Sequence, residues 1–276
     1  MSSFSPQLQG KHALVTGGTK GIGKAIVELL LNQGANVSYC ARTPTTDFTT
    51  QNNPNIGTPS FTAVDISSPS SVKTWVENAA LQFNRIDIVI ANGNLSPVPS
   101  QTQLTHPAAS FNTEATPQAW QSSFTADILS LITLIDTSTP HLAKTSGSIV
   151  VISSAAGFEA RHHTIASPYT TFKRAQATLA KDYARKLGPL GVRINCVVPG
   201  AIETPGLVLG DGSREESRFE RMRRVNPEFL RGILDSVAVR RFGTVEEVAS
   251  VVVFLASPLA SGSSHLLTPD IKENDR

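Results

Sequence analysis

Cysteine is scarce in this 276-residue chain, with Cys40 and Cys196 the only two. The strand arrangement derived below separates them by several positions of about 4.8 Å each, which is beyond disulfide reach. Both are therefore expected as small buried apolar residues. An excess of charge of one sign is also missing. With 24 basic and 22 acidic side chains the formal charge is +2, so no net field draws nucleic acid or an anionic membrane surface. No apolar run approaches the ~20 residues of a membrane span, and the opening MSSFSPQLQGKH lacks the apolar core of a secretion signal. The expectation is a soluble, intracellular, cytoplasmic protein without nucleic-acid or membrane partners. Internal repeats and dividing linkers are absent as well, so residues 1–276 are read as one domain.

What the chain does have is alternation. Short apolar runs (HALVT, NVSYCA, IDIVIA at 86–91, SIVVIS at 148–153, VRINCVV at 192–198) are separated by longer segments of helical period. That order implies βαβ units, hence an α/β fold with a doubly wound parallel sheet and helices on both faces. Ser68-Pro69, Thr116-Pro117 and Ser167-Pro168 each put a capping residue before a proline suited to the first helical turn. Thr244 with Glu247, and Ser213 with Glu216, have capping-box spacing. Segments 43–60 and 93–116 are long, polar and without helical period, and loops of that length usually carry function or move.

The first chemical signal is TGGTKGIG at 16–23, between HALVT and a helix beginning near Gly21. Gly17, Gly21 and Gly23 permit a tight turn and close backbone approach, so a pyrophosphate can sit at the helix N-terminus. Thr19, Lys20 and Ile22 of the same loop are further candidate cofactor contacts. An acidic residue at the end of the second strand would bind the 2′-hydroxyl of NAD. This chain has Ala41 and Arg42 there instead. Arg42, with Lys20 as a second cation, favours the 2′-phosphate of NADP(H); the alternative is two solvated surface cations.

The second signal is Tyr169-Thr170-Thr171-Phe172-Lys173, on the helix that Pro168 opens. Residues four apart share a helix face, so the Lys173 ammonium can lower the pKa of the Tyr169 phenol and make it a general acid or base. Ser153 and Ser154 end SIVVIS, where a hydroxyl emerges at the carboxyl edge of a parallel sheet.

In these residues the chain resembles the short-chain dehydrogenases/reductases, in their single-domain Rossmann-like form. TGGTKGIG, Asp65, IANGN at 90–94, ISSAAG at 152–157, YTTFK and VVPGAIETP at 197–205 occur in the expected order. The resemblance implies that Asp65 contacts the adenine amino group and that Asn92 lies beside the adenosine half. It further implies that Lys173 holds the nicotinamide ribose, Tyr169 exchanges a proton with the substrate oxygen, and Ser154 steadies that oxygen. Ile202 and Thr204 would touch the carboxamide and phosphates. Asp65 could equally cap the turn that follows it.

Two features depart from the family pattern. Asp127, in TADILSLIT, stands where the family carries an asparagine that supports a water-linked proton relay. An aspartate keeps an acceptor oxygen but loses the amide donor and adds a possible charge near Lys173. It is read as a site residue that tunes the relay, or else as a helix carboxylate left after catalysis was lost. At the C-terminus, Thr-Pro-Asp occupies the place of the family's closing strand and glycine pair, which weakens any subunit expectation to a homodimer or homotetramer.

The substrate region is less specific. A lid is expected over about 204–240, whose arginines at 214, 218, 221, 223 and 224 fit a solvated helix face better than an acidic substrate. Phe158, Leu207, Val208 and the loop 94–116 are candidate pocket walls. Arg161-His162-His163 lacks a third obvious ligand, so no metal is expected. The functional expectation is an NADP(H)-dependent oxidoreductase acting on a small or medium organic carbonyl or alcohol, with a biosynthetic pathway as its expected setting. The alternative is a non-redox cyclase, isomerase or cofactor-dependent binding protein on the same fold.

Overall fold

The five apolar runs and the helices between them assemble as alternation requires. The structure, a computed structural model, describes residues 6–44, 55–93, 116–158, 167–208, 213–264 and 266–267. Its first half runs β1 (His12–Thr16), α1 (Gly21–Asn32), β2 (Asn36–Ala41), β3 (Pro59–Ala63), α2 (Pro69–Phe83), β4 (Ile88–Ala91) and α3 (Pro117–Phe124). A π turn over Thr125–Leu129 leads into α4 (Ser130–Thr145), followed by β5 (Ser148–Ile152), α5 (Pro168–Leu187) and β6 (Arg193–Val197). Two-residue strands β7 (Ile202–Glu203), β8 (Leu207–Val208) and β9 (Arg214–Glu215) precede α6 (Arg218–Val225) and α7 (Pro227–Ser236). β10 (Gly243–Thr244), α8 (Val245–Ala256) and β11 (Leu266–Leu267) follow.

The main sheet has the order β11-β6-β5-β4-β1-β2-β3, with every pairing parallel. Strand order reverses between β1 and β4, and at such a switch point the crevice above the carboxyl ends receives ligands. Successive strand residues face opposite sides. Ala13, Val15, Ile88 and Ile90 pack with Ile26 and Leu30 of α1 and Val248 and Val252 of α8. Leu14, Val89, Ile149 and Val151 pack with residues of α2, α4 and α5 on the other side. Each such fully buried aliphatic side chain contributes roughly 1.5–3 kcal/mol relative to exposure. Cys40 and Cys196 are buried free thiols, one in each half of the sheet, and burial pushes both pKa values up to about 12.

Ser68, Thr116 and Ser167 accept the cap hydrogen bonds of α2, α3 and α5, each with proline in the first turn. The Thr244–Glu247 capping box is present. The Ser213–Glu216 box is not: the box that starts α6 is Ser217–Glu220, and Glu216 instead pairs with Arg224 and Arg221. The C-terminal expectation also changes. Leu266 and Leu267 pair in parallel with Cys196 and Val197, so a seventh strand closes the sheet before Thr268-Pro269. Arg193 donates to the carbonyls of Leu255, Ser257 and Ser263, which holds the approach to that strand in place. Most of loops 43–60 and 93–116, together with Arg161-His162-His163, lies outside the described residues.

Candidate active site

The glycine turn is held by main-chain geometry. Gly17 and Gly18 both donate to the Cys40 carbonyl, at 2.8 and 3.2 Å, which ties the turn to the end of β2. Gly17 has φ +67°, a region that disfavours side chains. A Cβ on Gly23 would lie 2.1 Å from the Gly17 carbonyl oxygen, so α1 can begin this close to the turn only with glycine there. Asn92 braces the turn from β4, its Nδ2 donating to the carbonyls of Thr16 and Gly17, both at 3.1 Å. Thr16 Oγ1 accepts the N–H groups of Asn92 and Gly93 at 3.0 and 2.9 Å.

A cleft of about 520 Å³ opens above this turn. One end is walled by Arg42, Thr43, Pro44 and Asp65, the middle by Gly17, Thr19, Lys20, Ile22, Gly23 and Asn92, and the far end by Tyr169, Lys173 and Thr204. Asp65 Oδ1 accepts the Ser67 N–H at 2.9 Å, so this carboxylate both caps its turn and faces the cleft. The Ser67 hydrogen bonds hold its pKa below the usual carboxylate range, with Arg42 nearby adding to the effect. Such a turn fits the backbone of a dinucleotide: the glycines admit close approach, and the N-terminus of α1 offers N–H groups to a phosphate. Arg42 and Lys20 are exposed cations on the same cleft.

At the far end, Lys173 is buried to 3 % exposure. Its Nζ donates to the Ile152 carbonyl at 2.8 Å and to Gln176 Oε1 at 3.1 Å, leaving one of three ammonium hydrogens for the cleft. Burial lowers its pKa to about 8, against the opposing pull of Asp127 and Cys196. The two serines separate cleanly. Ser153 is buried and donates to the Lys173 carbonyl at 2.6 Å, fastening β5 to α5. Ser154, half-buried, accepts the Ala156 N–H at 3.2 Å and caps the short 3-10 turn Ala155–Gly157.

Four expected site residues are not among the walls of the cleft. Gly21, at φ +54°, lies against the Thr204 side chain. Ile202 packs on the core beside Gly243. Ser154 sits at the strand end just described. Asp127 is buried behind Lys173 in the π turn, where the Ser130 N–H reaches back five residues to the Thr125 carbonyl. π turns inside α-helices often mark functional sites, and the sequence periodicity reads this one as ordinary helix. Sequence reasoning also missed the wall residues Ile66 and Gly93 and the bridging role of Gln176.

In segment 203–240, Arg214 pairs with Glu220, Arg221 and Arg224 with Glu216, and Arg223 with Glu203. Glu220 and Arg224 stand four apart on this helix but do not pair with each other: Glu220 turns back to the Ser217 N–H in the capping box and Arg224 reaches Glu216. Phe158 packs against the core under the Arg174 guanidinium. Leu207 and Val208 form β8, paired antiparallel with β9.

A parallel sheet with a glycine turn at its switch point, ending in a tyrosine and a buried lysine one helical turn apart, defines a dinucleotide-binding oxidoreductase fold. Residues 11–208 match the family described as short chain dehydrogenase, and the chain belongs to that family of nicotinamide-dependent oxidoreductases. Isoepoxydon dehydrogenase patN of Penicillium expansum is 35 % identical over 260 residues, covering 92 % of this chain and 90 % of the relative. L-fucose dehydrogenase of Mus musculus is 30 % identical over 248 residues, covering 90 % and 82 %. The crystal structure of a 3-oxoacyl (acyl-carrier-protein) reductase from Agrobacterium tumefaciens C58 with NADP bound shares the fold at TM-score 0.77 and 24 % identity, covering 97 % of this chain and 96 % of that one.

Proposed function

We propose that the protein is an NADP(H)-dependent dehydrogenase/reductase interconverting a small or medium-sized organic carbonyl compound and its alcohol. The observation that carries this reading is one continuous cleft with Arg42 at one end and Tyr169 and Lys173 at the other. In that reading Arg42 and Lys20 take the 2′-phosphate, since a guanidinium matches phosphate in charge and geometry. Asp65, Asn92, Thr19, Ile22 and the glycines receive the adenosine and pyrophosphate, and Ile202 and Thr204 approach the nicotinamide end.

The nicotinamide supplies or accepts the hydride at the substrate carbon. In the reducing direction Tyr169 gives its phenolic proton to the substrate oxygen while Ser154 steadies that oxygen. Lys173 holds the ribose with its remaining hydrogen and stabilises the phenolate left on Tyr169. Asp127, behind Lys173, tunes that ammonium. Segment 204–240 serves as the lid, and a homodimer or homotetramer is supported by the exposed Phe124 and Leu129 beside α4. Among the described residues no helix is long and apolar enough to cross a membrane; the cytoplasmic assignment rests on the sequence. The relatives' dehydrogenase names support the redox reading over a non-redox one.

The test is fluorescence titration with NADPH and NADH of the native protein and Arg42→Ala. NADPH binding that weakens roughly tenfold or more in the variant, with NADH little changed, is expected, since a charge-assisted contact is lost. Failure of the native protein to bind either nucleotide would sink the reading.

A further inference from the structure

Gln176 lies three residues after Lys173 on α5 and is only 4 % exposed. Its amide spans two elements. Oε1 accepts from Lys173 Nζ at 3.1 Å, and Nε2 donates to the Asp127 main-chain carbonyl at 2.9 Å. An ammonium can only donate and a carbonyl can only accept, so the amide meets both in one orientation alone. Burying an amide is costly unless its ends are bonded, and an apolar side chain would fill a helix interior at lower cost. The carbonyl it reaches belongs to the π turn, where the regular i→i−4 ladder is interrupted.

We propose that Gln176 is a positioning residue: it braces the Lys173 ammonium against the π turn at Asp127 and thereby fixes the direction of the hydrogen left for the cleft. The proposal rests on the reading of Lys173 as the group that serves Tyr169 and the ribose. It joins the two unusual features of this region, the π turn and the buried aspartate, to the lysine through one neutral side chain. The brace accepts a hydrogen bond without neutralising the ammonium, as a carboxylate in its place would. The other ionisable groups around that ammonium are Asp127 from the π turn, Cys196 from β6 and Tyr169 one turn back on α5.

The experiment is NMR titration of Lys173 in the full chain, its signal assigned with Lys173→Met, in native protein, Gln176→Met and Gln176→Glu. Methionine keeps the length and loses both hydrogen bonds. Its titration midpoint should fall by about one pH unit, the effect of losing a hydrogen bond to a charged group. Glutamate keeps the shape and adds charge, so its midpoint should rise. Turnover by Gln176→Met should drop about tenfold through misplacement of the ammonium, with NADPH affinity within about threefold of native. Midpoints that coincide in all three proteins, with only thermal stability altered, would overturn the brace and leave Gln176 as packing. Should the native protein bind no nicotinamide nucleotide while the midpoints still move, the brace stands and the NADP(H) reading falls.

Discussion

The two ends of the molecule's carboxyl edge are held by different forces. Around the glycine turn and Lys173, the contacts are main-chain or buried: Gly17 and Gly18 to Cys40, Asn92 to Thr16 and Gly17, Ser153 to Lys173. Across 203–247, the charged side chains pair with one another in the open, as Arg223 does with Glu203 and Arg241 with Glu247. Buried hydrogen bonds with one solution fix a geometry, whereas exposed ion pairs are screened and exchange easily. The difference teaches that the end holding Tyr169 and Lys173 is fixed by folding, whereas the contacts of 203–247 are cheap to rearrange.

The sharpest way to break that contrast is at the reacting end itself. Tyr169→Phe should reduce turnover by about 10²–10⁴-fold, the usual weight of a general acid or base, with little change in thermal unfolding. Steady-state assay beside a melting curve checks it, and near-native turnover would remove Tyr169 from the chemistry. Next comes the turn. Gly23→Ala should weaken NADPH binding by about tenfold or more and destabilise the fold by about 1–3 kcal/mol, since the added carbon lies 2.1 Å from the Gly17 oxygen. Isothermal titration and urea unfolding read the two effects separately.

A third prediction concerns pH. Burial lowers the Lys173 pKa from 10.5 to about 8 in the folded chain. The unfolded chain therefore holds more protons between those values, so this group makes the fold more stable as pH rises through the window. Catalysis should move the opposite way, because the ammonium beside Tyr169 disappears above about 8. Asp127 raises that lysine's pKa, so Asp127→Asn should shift the alkaline limb of kcat to lower pH; an unmoved limb would detach Asp127 from the lysine. The smallest effect belongs to the exposed side. Arg224→Ala removes a pair with Glu216 at 2.9 Å in which the arginine side chain is 67 % exposed, and should move Tm by no more than about 1–2 °C. A larger drop would show that this segment is as tightly built as the turn.

Much of the preorganised end was legible because its constraints act on residue type. Only glycine tolerates the Gly17 and Gly23 positions, and at Ser68-Pro69, Thr116-Pro117 and Ser167-Pro168 a capping hydroxyl before proline marks the helix start. The five inner strands of the sheet were legible from apolar alternation; the edge strand β3 was not, because PSFTA opens on proline and carries two hydroxyls. The π turn was not legible, since a single widened turn leaves no periodic trace in nine residues. Gln176 was invisible for another reason: glutamine is ordinary in helices, and its meaning comes from burial and from bridging Lys173, one turn back, to the Asp127 carbonyl 49 residues away in sequence. Near 213–220 two serine–glutamate pairs compete for one helix start, and tertiary pairing of Glu216 with arginines decided between them. The two-residue strand β11 was masked by the Thr-Pro-Asp that follows it.

Lys173 is held at both ends by two adjacent residues, Ile152 at the end of β5 and Ser153 just past it. Its carbonyl receives the Ser153 hydroxyl and its ammonium reaches the Ile152 carbonyl. Main chain, side chain and β5 thus form a closed ring around one of the most rotatable side chains in proteins. The rotamer entropy of that lysine is lost when the chain folds rather than when a ligand arrives. Calorimetry of nucleotide binding should therefore report little ordering from the lysine, and any large unfavourable entropy should originate in the segment beyond Thr204.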